Sequence, residues 1–213
     1  ENHALELAAE LGWNFRYAAA DWQGNALLTS PDLEILRHDA FILAPTKGPT
    51  REQRSAVGCV LRDREQRDWA VLSCHLDHQF EATRLEQWET LQREVKAAWP
   101  TQHYILVGDL NALTRSDYSH AKWEKIRGAR SRAGIEAAST ALMDQALTVD
   151  KFQDAKPESQ VPADTTSRFD TRVDYVLLSA EGPWSVSQYE VVQTRHLSDH
   201  NMVCAEIVST PAQ

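Results

Sequence analysis

No stretch of these 213 residues is long and apolar enough to cross a bilayer, which takes about 20 such residues. The N-terminus, Glu1-Asn2-His3, lacks the basic and apolar regions of a signal peptide. Cysteine is scarce: Cys59, Cys74 and Cys204 each sit inside an apolar, strand-like run. An odd number without regular spacing excludes a disulfide framework and a zinc motif. The three read as small buried hydrophobes in a reducing compartment, hence as part of an intracellular protein. Repeats and low-complexity tracts are missing as well. Positive charge is short: 22 Lys and Arg face 31 Asp and Glu, a formal net charge of −9. That balance argues against a protein that holds nucleic acid by a general basic surface. It leaves room for an enzyme that cuts phosphodiesters, because a bound metal can supply local positive charge.

What is present is an ordinary globular composition, 42% hydrophobic and 25% charged, at a length that suits one well-packed domain over residues 1–213. Helix-like and strand-like patterns alternate, so the class is mixed α and β. Ala4 to Leu11 reads as a short amphipathic helix stopped by Gly12. Strands are expected at Trp13 to Ala19, Asn25 to Thr29 and Leu33 to Leu43. Ser55 to Arg62 and Trp69 to His75 flank a polar run and read as a β-hairpin. Phe80 to Ala98 is the clearest helix, with Leu85, Trp88, Leu91, Val95 and Ala98 on one stripe and Glu89 placed to pair with Arg93. His103 to Val107 is a short apolar strand; Asp117 to Arg127 and Ile135 to Leu147 look helical. Lys156 to Thr166 is polar, holds two prolines and reads as a loop. Val173 to Ser179, Val186 to Thr194 and Met202 to Val208 complete the strands. Helices are too few to separate every strand, so much of the sheet should be antiparallel.

Polar residues gather at the ends of the apolar strands. Asp109 and Asn111 follow Tyr104-Ile105-Leu106-Val107-Gly108, with Gly108 permitting a tight turn. Asp109 could accept a proton or bind a metal, and Asn111 could donate to a phosphate or a water; the pair could equally be a plain turn. Ser198-Asp199-His200 precedes the last strand and offers a metal-seeking carboxylate beside an imidazole, or a simple turn into the strand. Asp174 lies inside an apolar run, where a carboxylate is costly to bury without a partner; a histidine would serve, and so would a solvent-facing position. His75 ends another apolar strand and is followed by Leu76-Asp77-His78; the spacing of His75 and His78 makes no zinc signature by itself. Arg127, Arg130 and Arg132 read as a solvated loop, or as a basic one near a phosphate.

Taken in order, His75-Leu76-Asp77-His78, a helix with Arg84 and Gln87, Gly108-Asp109-Leu110-Asn111, Thr166, Arg172-Val173-Asp174-Tyr175 and Ser198-Asp199-His200 resemble the endonuclease/exonuclease/phosphatase superfamily. That superfamily includes deoxyribonuclease I, abasic-site endonucleases, sphingomyelinases, inositol polyphosphate phosphatases and deadenylases. Gly24-Asn25-Ala26-Leu27-Leu28 resembles an early strand of the family, and Arg54 an arginine often found before the next. The likeness runs from about Gly12 to Val208.

The resemblance implies an α/β fold, a four-layer α/β sandwich of two packed, mostly antiparallel sheets with helices outside. It implies a phosphoesterase dependent on Mg²⁺ or Mn²⁺, acting on a phosphate ester in nucleic acid, a small molecule or a lipid headgroup. By similarity, Asp109 would activate the water and Asn111 would hold a phosphate oxygen or that aspartate. His200 would donate to a non-bridging oxygen with Asp174 orienting it. His75 would contact the phosphate or assist the leaving group. Asp199 and Glu1 would hold the metal. Family members begin with an asparagine-bearing strand that has no counterpart here. The resemblance therefore implies a domain entered after its first strand, with residues before Glu1 or another chain filling the gap. A silent member serving as a structural or binding module is the other reading.

Overall fold

The structure is a computed structural model that describes residues 3–21, 23–45, 52–100, 103–179, 182–194 and 197–209. The chain runs α1 (His3–Leu11), β1 (Asn14–Ala20), β2 (Gln23–Thr29), β3 (Glu34–Ile42), β4 (Ser55–Arg62), β5 (Asp68–His75) and α2 (Glu81–Ala98). It continues through β6 (Tyr104–Asp109), α3 (His120–Arg132), α4 (Ala141–Asp144), β7 (Gln153–Asp154), β8 (Asp174–Leu178), β9 (Trp184–Val192) and β10 (Met202–Ser209). Six strands form one sheet in the order β3-β4-β5-β6-β8-β7. All neighbours in it are antiparallel except β5 and β6, whose parallel pairing needs the crossover that α2 provides.

Side-chain alternation gives this sheet two covered faces. One carries Ala56, Cys74, Leu72, Leu106, Tyr175 and Leu177, packed with Trp88, Leu91 and Val95 of α2 and Leu142 and Met143 of α4. The other carries Ile105, Val176 and Leu178, against which the β9–β10 hairpin lays Val186, Val203, Ala205 and Ile207. The β1–β2 hairpin covers the same face further along. The Ser55 hydroxyl donates to the Ala18 carbonyl at 3.0 Å, and the Asn25 amide donates to the Ser55 carbonyl at 2.6 Å. Trp69 of β5 stacks on Trp184 of β9, centroids 6.2 Å apart and planes 18° from parallel. Helix α1 lies outside β1 and β2. The layers are thus helices, sheet, paired hairpins and helix. Among the described residues the second sheet is split into two hairpins that share no hydrogen bond.

The amphipathic stripe of α2 is as expected: Trp88, Leu91 and Val95 are buried, with Leu85 and Ala98 half-buried beside them. Its start is fixed by Asp77, whose carboxylate accepts from the backbone N–H of Gln79 and Phe80 at 2.9 and 2.6 Å. Arg93 pairs with Glu94 and not with Glu89. Three other expectations need correction. Helix α3 begins at His120, capped by the Ser119 hydroxyl, and extends to Arg132. Arg127, Arg130 and Arg132 therefore ride a helix, not a loop. Gly134 (φ 66) closes α3 with a left-handed residue, so the segment from Ile135 is not helical until Ala141. A π-helical turn, Gln145–Val149, then continues α4. The segment between β7 and β8 is irregular, as its prolines demand.

Candidate functional site

Strand register builds the site. His75 of β5 pairs with Asp109 of β6, and Asp109 pairs with Asp174 of β8. Neighbouring strands lie about 4.8 Å apart, so these three side chains form one row on the hairpin-covered face, at the sheet's rim. Gly108 makes the row possible. Its φ is 140, and a Cβ there would lie 1.9 Å from the Cys74 carbonyl oxygen, so no side chain fits.

His200 reaches the row from the loop before β10. Ser167 forms a bridge to it, and Thr194 donates its hydroxyl to the His200 carbonyl. Nδ1 of His200 lies 2.8 Å from Asp174 Oδ2. The half-buried carboxylate thus has the histidine partner that its apolar surroundings call for. Thr166 steadies the strand entry: its hydroxyl accepts from the backbone N–H of Val173 and Asp174 at 3.0 and 3.1 Å.

Electrostatics separate the members. Burial, then the charge of Asp174, pushes the Asp109 carboxyl up to about 7, against the Asn111 N–H, His200 and Arg54, which favour its ionised form. Burial works against charging His200, but the hydrogen bond and charge of Asp174, with Asp109 and Asp199 behind, raise it above the usual histidine value. His75 is pushed down to about 3 by burial, then by Arg54, His200 and His78. It is a neutral ring at physiological pH, its Nε2 3.5 Å from Asp109 Oδ2.

The structure brings Asp109, Asp174, His200 and His75 together, with Asn111 at the edge. The backbone N–H of Asn111 donates to Asp109 Oδ1 at 2.8 Å, and its side-chain amide donates to the Leu76 carbonyl at 3.1 Å. Asn111 has φ 49, a left-handed conformation that asparagine tolerates. Asp199 stands apart: its carboxylate is more than half exposed and lies 3.6 Å from Arg168. Glu1 lies outside the described residues. One ligand atom each from Asp109, Asp174 and His200 lie within 4.8 Å of one another. Two carboxylate oxygens and an imidazole nitrogen suit a divalent cation, and the raised Asp109 carboxyl marks a place where added positive charge is favourable.

Sequence reading gives Arg54 no contact and His78 no place. Arg54 is 4% exposed and touches both His75 and His78. In the sequence it carries two signals: its likeness to an arginine of the family, and its position immediately before β4, which opens on Ser55 and is buried over most of its length.

The model of the Endonuclease/Exonuclease/phosphatase family matches residues 1–200. No curated protein matches the chain in sequence. Among solved structures, the human Nocturnin catalytic domain with bound sulfate superposes with a TM-score of 0.71 at 16% identity, covering 96% of this chain and 75% of that one. The mannosyl-6-phosphatase Bt3783 of Bacteroides thetaiotaomicron gives 0.67 at 16% identity, covering 96% and 82%. An endonuclease/exonuclease/phosphatase from Bacteroides vulgatus gives 0.69 at 18% identity, covering 98% and 81%. At these identities the likeness establishes the fold.

Proposed function

The chain belongs to the Endonuclease/Exonuclease/phosphatase family, and from that premise we propose that it is a divalent-metal-dependent phosphoesterase acting at Asp109, Asp174 and His200. The observation that carries the reading is the convergence of these three groups from distant parts of the chain, with one carboxyl poised near neutrality.

A phosphate ester is anionic, so hydrolysis needs a positioned water, neutralisation of the phosphoryl oxygens and help for the leaving oxygen. Asp109, with its carboxyl near 7, is matched to taking a proton from water at physiological pH. Asp174 receives the Nδ1–H of His200, which fixes the ring and favours its charged form. The Nε2–H of that imidazolium is then free to donate to a non-bridging oxygen. His75, neutral and with its Nε2 3.5 Å from Asp109 Oδ2, orients the carboxylate; its low basicity argues against protonating a leaving group. Asn111 supports Asp109 through its backbone N–H. Asp109 and Asp174 would hold Mg²⁺ or Mn²⁺ through their carboxylate oxygens, and the bound ion would neutralise charge on the phosphoryl group. Asp199, now beside Arg168, stands one residue from His200 and could join on binding.

The net charge of −9 fits a small phosphate ester better than a tightly held polynucleotide. Hydrolysis of DNA, RNA, inositol phosphates, sugar phosphates and sphingomyelin, each with Mg²⁺ and with chelator, tests both claims. Activity against any of them that survives exhaustive chelation would refute the metal dependence. No activity against all of them would favour a silent binding module.

A further inference from the structure

Arg54 is a buried cation whose guanidinium spans two imidazoles. Its Nη1 lies 3.4 Å from Nδ1 of His75, and its Nη2 lies 3.2 Å from Nδ1 of His78. The second nitrogen also meets Glu52 Oε2 at 3.2 Å, so the cation is partly balanced and held in one orientation. A guanidinium has donors and no acceptor. Nδ1 of His75 must therefore offer its lone pair to the guanidinium, which leaves the ring proton on Nε2.

A free imidazole divides between two tautomers, and the choice is set by the partner of one nitrogen. For His75 that partner is Arg54, and its Nε2 faces Asp109 Oδ2 at 3.5 Å, so the proton points at the carboxylate proposed to activate water. His78 is different: its Nδ1 meets Arg54, but its Nε2 lies 3.3 Å from the amide nitrogen of Gln79, itself a donor, so its two neighbours ask for opposite tautomers. With the opposite tautomer, His75 would turn a lone pair towards Asp109 and a proton towards a guanidinium, two repulsive contacts in place of two attractive ones.

The backbone joining the rings is fixed independently. The Leu76 N–H donates to the Asp109 carbonyl at 3.0 Å, and the Asp77 N–H donates to Gln87 Oε1 at 2.8 Å. The Arg84 guanidinium donates to the Asp77 carbonyl at 2.9 Å, and Gln87 in turn donates to the Ala44 carbonyl at 2.9 Å. The two imidazoles thus stand on a clamped turn, and the freedom left to them is the site of the proton.

We infer that Arg54 is a positioning residue of the site, holding His75 as its Nε2–H tautomer so that His75 turns an N–H towards Asp109. It acts through His75. Its kinetic consequence rests on the hydrolase reading; the tautomer assignment does not. A lysine cannot replace it, because a single ammonium point charge lacks the planar fork that reaches two rings.

The test uses the whole chain labelled with ¹⁵N-histidine, whose ring nitrogen shifts report the tautomer directly. In the wild type, His75, assigned by its substitution to glutamine, shows an unprotonated Nδ1 and a protonated Nε2. In Arg54→Lys that ring shifts to a tautomer mixture. On whichever phosphate ester proves to be a substrate, kcat of that variant falls about 10- to 100-fold, the range usual for groups that orient a ligand or catalyst, while KM changes little. Glutamine at 75 places an amide near the Nε2 position without any tautomer to choose, so Arg54→Lys added to His75→Gln lowers kcat little further. A wild-type His75 ring with the proton on Nδ1, a His75 ring unchanged in Arg54→Lys, or full kcat in that variant would each overturn the inference. Should Arg54→Lys fail to fold, the wild-type ring shifts decide the assignment. A wild type with the expected tautomers but no phosphoesterase activity would refute the hydrolase reading and sustain the tautomer assignment.

Discussion

Two clusters of charged residues lie one residue apart in the chain and behave oppositely. Arg172 belongs to the first. Its guanidinium is 0% exposed and meets Asp117 at 3.0 Å and Asp154 at 2.8 and 2.7 Å, while Lys156 stands 3.4 Å from Asp117. The Arg172 cation also lies 4.1 Å over the Tyr175 ring. Two cations meet two anions, and the set is closed. Asp174 belongs to the second. There two carboxylates share one imidazole, and Asp109 is left with a carboxyl pushed up to about 7. A pair of aspartates makes a brace where cations cancel its charge and a reactive centre where they do not.

Replacing a carboxylate in each cluster gives the sharpest contrast. Asp109→Asn should reduce kcat by about 10²- to 10⁴-fold, the usual contribution of a general base, with the fold intact. Asp117→Asn should leave kcat per folded molecule near the wild-type value and lower resistance to urea. Equal kinetic losses in the two variants would dissolve the distinction.

Breaking the brace comes next in size. Arg172→Met leaves the buried Asp117 and the half-buried Asp154 with only Lys156 to face, and should cost about 3–5 kcal/mol in unfolding free energy. Urea denaturation followed by circular dichroism checks it.

Within the reactive centre, His200→Ala should lower turnover about a hundredfold, the typical cost of one preorganised donor, with divalent-metal affinity nearly retained. Complete rescue by added Mg²⁺ would instead make His200 chiefly a metal ligand. Asp174→Asn should show a related loss, since it removes the charge that holds the ring.

The smallest expected effect concerns pH and stability. Asp109 has a folded-state carboxyl raised from about 4 to about 7. The folded state therefore binds this proton more tightly than the unfolded state does. The resulting stability is fully present below about pH 4 and is lost as pH rises through 7. Asp109→Asn is free of that loss. In chelator, its melting temperature should exceed the wild type's at pH 8 by an amount equivalent to on the order of 1 kcal/mol, with the gap closing towards pH 5. A wild type that gains on the variant as pH rises would reverse the assignment of strain to Asp109.

Much of this was legible in the sequence. Helix α2 and the long strands follow from period and length, and the need of Asp174 for a partner follows from the apolar run around it. The brace was not legible, because Asp117, Asp154, Lys156 and Arg172 come from separate short or irregular segments. Strand β7 has two residues, too few to show any period. Ile135 to Thr140 carries helix-like apolar spacing but follows Gly134, whose left-handed φ of 66 turns the chain out of α3. The tautomer lock was invisible for another reason. It depends on the direction of two ring nitrogens, and the residue types alone do not specify direction.

The stacked indoles of Trp69 and Trp184 have a use of their own. Two nearly parallel aromatic chromophores at this separation couple optically, so docking of the β9–β10 hairpin onto β5 should carry its own near-ultraviolet circular-dichroism signal. The loop that delivers His200 joins β9 to β10. A melt followed at those wavelengths therefore watches the arm that carries this histidine come away from the sheet, separately from the far-ultraviolet signal of the helices.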